Sequence, residues 1–525
     1  MLMKVIKSSE ICSLIKDGDM VFYPGITLGG FAEESVIEIE KSFLATGHPR
    51  DLTVYWQSGV GNRGDRGFAH MAYEGLLKRG VGGHLKGCGP AVERLAGENK
   101  AEIYNFPQGV MATMPRYIAA KKPGVITKVG LGTMMDPRQG GGAMNQKARD
   151  AEDLVEIINI HGEEWLLYKL PKIDVTIIRG TYADEKGNIS IKKEGYQLGQ
   201  LALAEAAKAC GGIVICQVEK IISSGAIPPK EVKVPGIMVD YVYVAKPEYH
   251  WQTAQTVYNP VYAGEYKVPL DSIPLEKLSP RKVIARRAAM ELSPYSVVNL
   301  GVGIPEAVSS VATEENVLHL LTLTTEAGGI GGVPANKHDF GCCWNADATL
   351  EMADQFDFYD GGGLDFGCLG ALQIDEKGNV NSSMLNGGGI GVGGFMNVAG
   401  GSKKIVFTTI FCGGMEARLG DGKLEITREG DIKKFTNALE QISFNGELAI
   451  KDKKEVMFVT ERAVFELTEA GVELKEVAPG ISIEEDILDQ MDFMPIIKDV
   501  KLMPAGIFNE KWGGLAEVME RKMKG

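Results

Sequence analysis

A chain of 525 residues with 44% hydrophobic and 24% charged positions has ordinary globular composition and more length than one core usually holds, so two or more packed α/β units are expected. The net charge of −13 opposes non-specific affinity for nucleic acid or an anionic membrane, both of which need clustered basic residues. The N-terminal MLMKVIKSSEICSLIKDGD lacks an apolar core of signal-peptide length and no segment reads as a membrane span. A cytoplasmic protein with neither nucleic acid nor membrane as partner is the expectation.

The first strong pattern is GDMVFYPG at 18–25, a buried-strand run that stops at a glycine turn. LTVYWQSGVG at 52–61 repeats the strand-then-glycine form. DVTIIRGTYA then leads into the pentapeptide DEKGN at 184–188, read as strand, turn with glycine at positive φ, strand. GGIVICQV at 211–218 and a PGI element at 235–237 follow. The segment YNPVYAGEYKVPLDSIPLEKLSP carries Pro260, Pro269, Pro274 and Pro280 without helical or strand periodicity, and residues 259–280 are assigned as a linker.

Beyond it the series recurs. IARRAAMELSPYSVVNLG at 284–301 answers the first strand, LHLLTLTTEAGG at 318–329 the second, GCLGALQI with DEKGN at 375–379 the third, KKIVFTTIF at 403–411 the fourth, and a second PGI lies at 479–481. This predicts two similar open α/β domains, 1–258 and 281–525, related by a pseudo-two-fold. In open α/β sheets ligands bind beyond the carboxyl ends of the strands, so the strand-end loops should face one another across a cleft.

Only the second copy has an acid at its second strand end, Glu326 in TLTTEAGGIGG. A carboxylate among apolar residues is poorly solvated, which suits a nucleophile, although the same spacing fits an acid that merely accepts hydrogen bonds from the following loop. LNGGGIGVGGFMNVAGG at 385–401 and GVGIP at 301–305 offer backbone amides of the kind that form oxyanion holes. Two GxGxxG matches, at Gly59, Gly61 and Gly64 and at Gly389, Gly391 and Gly394, lack the helix or the ribose-binding acid of a dinucleotide site. HExxH, GxSxG and Walker motifs are missing. Asp357, Asp360 and Asp365 flank a Gly-Gly-Gly turn and read as turn formers, and the eight cysteines form no CxxC pair; no metal site is expected.

Several long segments resemble the family I CoA-transferases, in particular the fused single-chain acetate and propionate enzymes: TTEAGGIGG around Glu326, NADATLEMADQFDFYDGGGLD at 345–365, YNFPQGV at 104–110, DPRQGGGAMN at 136–145, FTNALEQISFNGELA and DILDQMDFMPII. The resemblance implies the CoA-transferase fold of two related α/β domains and a catalytic glutamate at Glu326. It implies that Glu326 attacks an acyl-CoA thioester, passes through a mixed anhydride to a glutamyl-CoA thioester, and is released by an incoming short-chain carboxylate. Coenzyme A is then a substrate and no cofactor is required. Oxyanion roles carry over to Val302 and Gly303 and to the glycine loop with Gly391, Gly393 and Gly394. Gln108 matches a glutamine near the reacting carboxylate. The loop YPGITLGGF at 23–31, with Gly25, departs from the usual pattern where it is expected to shape the acyl pocket. A homo-oligomer is implied as well. An acyl-CoA hydrolase on the same fold, or a CoA-binding protein without activity, are the rival readings.

Overall fold

The central strands are built from continuous runs of β-branched and aromatic residues. VTIIR at 175–179 is buried at every position, as a parallel strand covered on both faces must be. In the computed structural model, which describes residues 3–269, 275–335 and 337–524, eight strands form one fully parallel sheet in the N-terminal half, with the most apolar runs at its centre and the exposed Lys4–Val5 at one edge. They are β1 (Lys4–Val5), β2 (Met20–Tyr23), β3 (Leu52–Trp56), β4 (Leu77–Gly82), β5 (Glu102–Asn105), β6 (Val175–Arg179), β7 (Ile213–Val218) and β8 (Tyr241–Val244), in the order β1-β8-β7-β6-β2-β3-β4-β5. Helix α1 (Glu33–Thr46) makes the crossover from β2 to β3, and α2 (Gln108–Ala119) follows β5.

The C-terminal half holds a ten-stranded mixed sheet. Its strands are β9 (Val297–Leu300), β10 (Thr322–Thr324), β11 (Gly329–Ile330), β12 (Ala348–Thr349), β13 (Leu364–Gly370), β14 (Ser402–Thr408), β15 (Glu455–Val459), β16 (Ala463–Thr468), β17 (Gly471–Val477) and β18 (Ile496–Leu502). Their order is β12-β11-β10-β9-β13-β14-β15-β16-β17-β18. The parallel stretch β10-β9-β13-β14-β15 matches β3-β2-β6-β7-β8 strand for strand, so the halves share one core topology.

The two DEKGN turns are alike in atomic detail. Asp184 Oδ1 accepts the amides of Lys186 and Asn188, both at 2.9 Å, and Asp375 Oδ1 accepts those of Lys377 and Asn379 at 3.0 and 2.9 Å. Gly187 and Gly378 sit at φ of 84° and 72°, which L side chains rarely adopt. Asn188 Oδ1 accepts from Gly236 and Asn379 Oδ1 from Gly446, each at 2.9 Å. The partner of the first PGI element is therefore Asn445-Gly446-Glu447. The pairing of 235–237 with 479–481 expected from the sequence is wrong, because Pro479–Ile481 follows β17, which has no counterpart in the N-terminal half.

The expected linker is docked. Tyr262 is buried and its hydroxyl donates to Asp339 at 3.1 Å, and the Val268 amide donates to Asn345 at 2.8 Å. Residues 270–274 of that segment lie outside the described residues. Helix α3 (Pro280–Ala289) then opens with the Ser279 side chain accepting from Lys282 as its cap.

Candidate active site

Eight parallel strands from the two sheets end around one cavity of about 410 Å³. From the N-terminal half come Thr27 after β2, Ser58 after β3, His84 after β4 and Gln108 after β5; from the other half come Val302 after β9, Glu326 after β10, Ala371 after β13 and Thr409 after β14. This is the strand-end location expected of open α/β sheets. Arg63, Lys86 and Lys337 line it, and among the described lining residues Glu326 is the one acid. A chain with a net charge of −13 thus presents a cationic cavity.

Glu326 is 8% exposed. Burial drives its carboxyl up to about 7, and the backbone N–H of Gly394 is the one favourable contact opposing that rise. A Cβ on Gly394 would lie 2.5 Å from the Glu326 carboxyl carbon. The strand end beneath is fixed by helix α4 (Met352–Asp360): Tyr359 donates to Thr324 Oγ1 at 2.8 Å and accepts from Asn299 Nδ2 at 3.1 Å.

The other expected oxyanion donors are largely spent. The Gly391 amide donates to Ser383 O at 3.0 Å and the Gly393 amide to Gly83 O at 2.7 Å. Val392 between them donates to Asn105 Oδ1 at 2.8 Å. The Val392 and Gly393 bonds pin this loop to the N-terminal half and the Gly391 bond ties it to its own, so these amides form a scaffold, and among the loop's amides Gly394 turns its N–H to the acid. Gly303, at φ of 94°, directs its amide toward Glu306, not into the cavity. Val302 lines the cavity at 40% exposure, and its amide has no acceptor among the described residues.

Gln108 is 1% exposed and opens helix α2. Its Oε1 accepts from Ser58 Oγ at 2.9 Å, its Nε2 faces the Met352 sulfur at 3.4 Å, and its backbone N–H donates to Gly393 O at 2.8 Å. Gly25 is not a pocket residue: a Cβ there would meet Val60 at 2.5 Å, so its role is packing, while Ile26 and Thr27 reach the cavity.

Sequence reading missed His84. Burial first, then Arg63 and Lys86, hold its imidazole down at about 4, and Nδ1 accepts from the Gly87 amide at 3.1 Å. A neutral ring with Nδ1 accepting carries its proton on Nε2, so it is a hydrogen-bond donor at neutral pH. Asn105, quoted only as part of YNFPQGV, ties Gly82 O and Gly83 O, at 2.8 and 2.7 Å, to the glycine loop. The three aspartates of DFYDGGGLDFG have separate partners: Asp357 faces Arg116, Asp360 accepts from Asn397, and Asp365 accepts from Val297 and Lys403.

A family model described as coenzyme A transferase matches residues 6–245 and 281–487. The caffeate CoA-transferase of Acetobacterium woodii is 45% identical over 98% of this chain and 99% of its own. The acetate CoA-transferase YdiF of Escherichia coli O157:H7 is 39% identical over 91% of this chain and 90% of its own. A crystal structure of that acyl-CoA transferase as a thioester complex with CoA superposes with a TM-score of 0.91 at 37% identity, covering 98% of this chain and 97% of that one. The chain belongs to the coenzyme A transferase family, as a single-chain family I enzyme that transfers CoA.

Proposed function

We propose that the protein exchanges coenzyme A between short-chain acyl-CoA and short-chain carboxylates through a glutamyl-CoA thioester on Glu326. The observation that carries this reading is the placement of one buried carboxylate, in contact with the Gly394 amide, at the meeting of eight strand ends in a cationic cavity. The carboxylate attacks the thioester carbonyl, the CoA thiolate leaves, and a mixed anhydride remains. The thiolate then attacks the glutamyl carbonyl and expels the donor acid. An incoming acid reverses both steps, giving ping-pong kinetics.

The residues divide the work by chemistry. Gly394 N–H and Val302 N–H are donors for the oxyanions that form at each attack. Gln108 and neutral His84 supply further donors beside the reacting carboxylate. Arg63, Lys86 and Lys337 match the phosphates of coenzyme A, which is a substrate here. The thioester complex of the YdiF relative supports a covalent CoA intermediate, and its acetate activity supports the short-acid class.

The test is trapping. Acyl-CoA without acceptor should leave a CoA adduct on the peptide containing Glu326, visible by mass spectrometry, and borohydride should then inactivate the enzyme irreversibly. Full transferase activity with the adduct on another residue overturns the mechanism, and equal thiol release with and without acceptor acid would make the enzyme a hydrolase. Because a 45% identical relative acts on caffeate, the acceptor series should run from acetate and propionate to caffeate. A higher kcat/KM for caffeate than for every short acid would overturn the substrate class.

A further inference from the structure

The first four amides of an α-helix have no partner within the helix and need one from outside. Helix α2, which opens on Gln108, is preceded by Pro107, whose side chain gives no cap. Its caps come from the other half of the protein. The Gln108 amide donates to Gly393 O at 2.8 Å and the Gly109 amide donates to Asn397 Oδ1 at 3.2 Å. Asn397 is fully buried in α5 (Phe395–Gly401), the short helix whose N-cap is Gly394. Its Nδ2 donates to both oxygens of Asp360, at 2.9 and 3.1 Å, which fixes the amide with its oxygen toward α2. A Cβ on Gly109 would lie 2.4 Å from Asn397 Nδ2, so glycine there is what lets the two elements meet.

From this geometry we infer that Asn397, oriented by Asp360, is a positioning residue for the transfer reaction: it locks the start of α2, and with it Gln108, to the segment whose Gly394 amide contacts Glu326. The inference rests on the proposed role of Glu326. One side chain thereby sets the spacing between groups contributed by the two halves. Displacements near 1 Å at a reacting centre cost on the order of 100-fold in rate, whereas binding of coenzyme A at the cationic part of the cavity does not depend on this contact.

Asn397→Ala should lower kcat by roughly 10- to 100-fold with the KM for acyl-CoA changed by less than about threefold. Gly109→Ala should do the same from the opposite side of the contact. Asn397→Asp sets two carboxylates against each other and should lose rate. Combined with Asp360→Asn, it exchanges donor and acceptor: the carboxylate introduced at position 397 again accepts from the Gly109 amide, and most of the rate should return. The rate of CoA-adduct formation on Glu326 in a single turnover is the direct readout, with melting temperature measured in parallel. An Asn397→Ala enzyme that folds and keeps full single-turnover rate overturns the inference, as does a double exchange no faster than Asn397→Asp alone. If Glu326→Gln is itself active, the proposed mechanism fails instead, so the two failures are distinguishable.

Discussion

At the scale of single residues, the environment of Glu326 sets opposite demands on stability and activity. Its carboxyl is pushed up to about 7 by burial, so the folded state holds the proton more tightly than the unfolded chain, where a glutamate titrates near about 4.3. The stability tied to this proton is complete below about pH 4 and is lost as the pH rises through about 7. A shift of that size corresponds to roughly 3–4 kcal/mol, so Glu326→Gln should be more stable than the native protein by about 1–3 kcal/mol at pH 8 and nearly equal to it at pH 4. Denaturant titrations at the two pH values measure this. Activity runs the other way, since only the carboxylate attacks: kcat/KM for acyl-CoA should climb with pH and level off above about 7. A flat profile from pH 5.5 to 8.5 would contradict a nucleophile held in this state. The acid was legible in the sequence because it ends a β-branched strand in the one half that has a carboxylate there, and because TTEAGGIGG around it resembles the family I CoA-transferases; the strand-end spacing alone fits a mere hydrogen-bond acceptor as well. His84 was not, because nothing in GVGGHLKG signals that Arg63, 21 positions earlier, faces it.

At the scale of elements, the glycine loop at 385–401 separates two reasons for glycine that a sequence cannot tell apart. Gly391 has φ of 88°, and a Cβ there would sit 2.8 Å from the Leu85 amide nitrogen, so both conformation and close approach demand glycine. Gly394 has φ of −85°, a backbone conformation open to any residue, and what excludes a side chain there is the Glu326 carboxyl. Gly391→Ala should therefore cost stability, on the order of 1–3 kcal/mol from strain. Gly394→Ala should fold with a melting temperature near that of the native protein and lose about 100-fold or more in kcat by displacing the nucleophile. Equal melting-temperature losses in the two variants would show that the loop is only a packing element. The sequence reading gave Gly391, Gly393 and Gly394 of this loop one task, and all three do line the cavity, but their amides are not alike. Which amides are free depends on Gly83, Asn105 and Ser383, contacts between distant segments that leave no local pattern.

At the scale of the whole molecule, the repeat was legible because DEKGN preserves every atom its turn uses: the aspartate that accepts two amides, the glycine at positive φ and the asparagine that ties down a later loop. The PGI pairing failed because a three-residue match carries no such set of bonds. What the sequence could not show is how tightly the halves are joined. Leu85 and Lys86 amides share Ile390 O, the Met134 amide donates to Ile442 O, and the Met352 amide donates to Gln197 O. Asp339 accepts from Thr253, Gln255, Thr256 and Tyr262, binding the end of the N-terminal half to the loop that carries Lys337. The coenzyme A transferase model matches two separate stretches, 6–245 and 281–487, and leaves 246–280 outside both. Fragments 1–269 and 275–525, expressed together, should therefore co-purify and recover roughly a tenth or more of the intact kcat, because the bonds across the cleft restore the geometry of the reacting groups. Either fragment alone should be inactive, since Gln108 and Glu326 lie on different pieces. Fragments that each fold and bind one another yet give no activity would show that the connecting segment itself completes the site. Fragments that fold but do not associate would show that the bonds across the cleft are too weak to hold it closed.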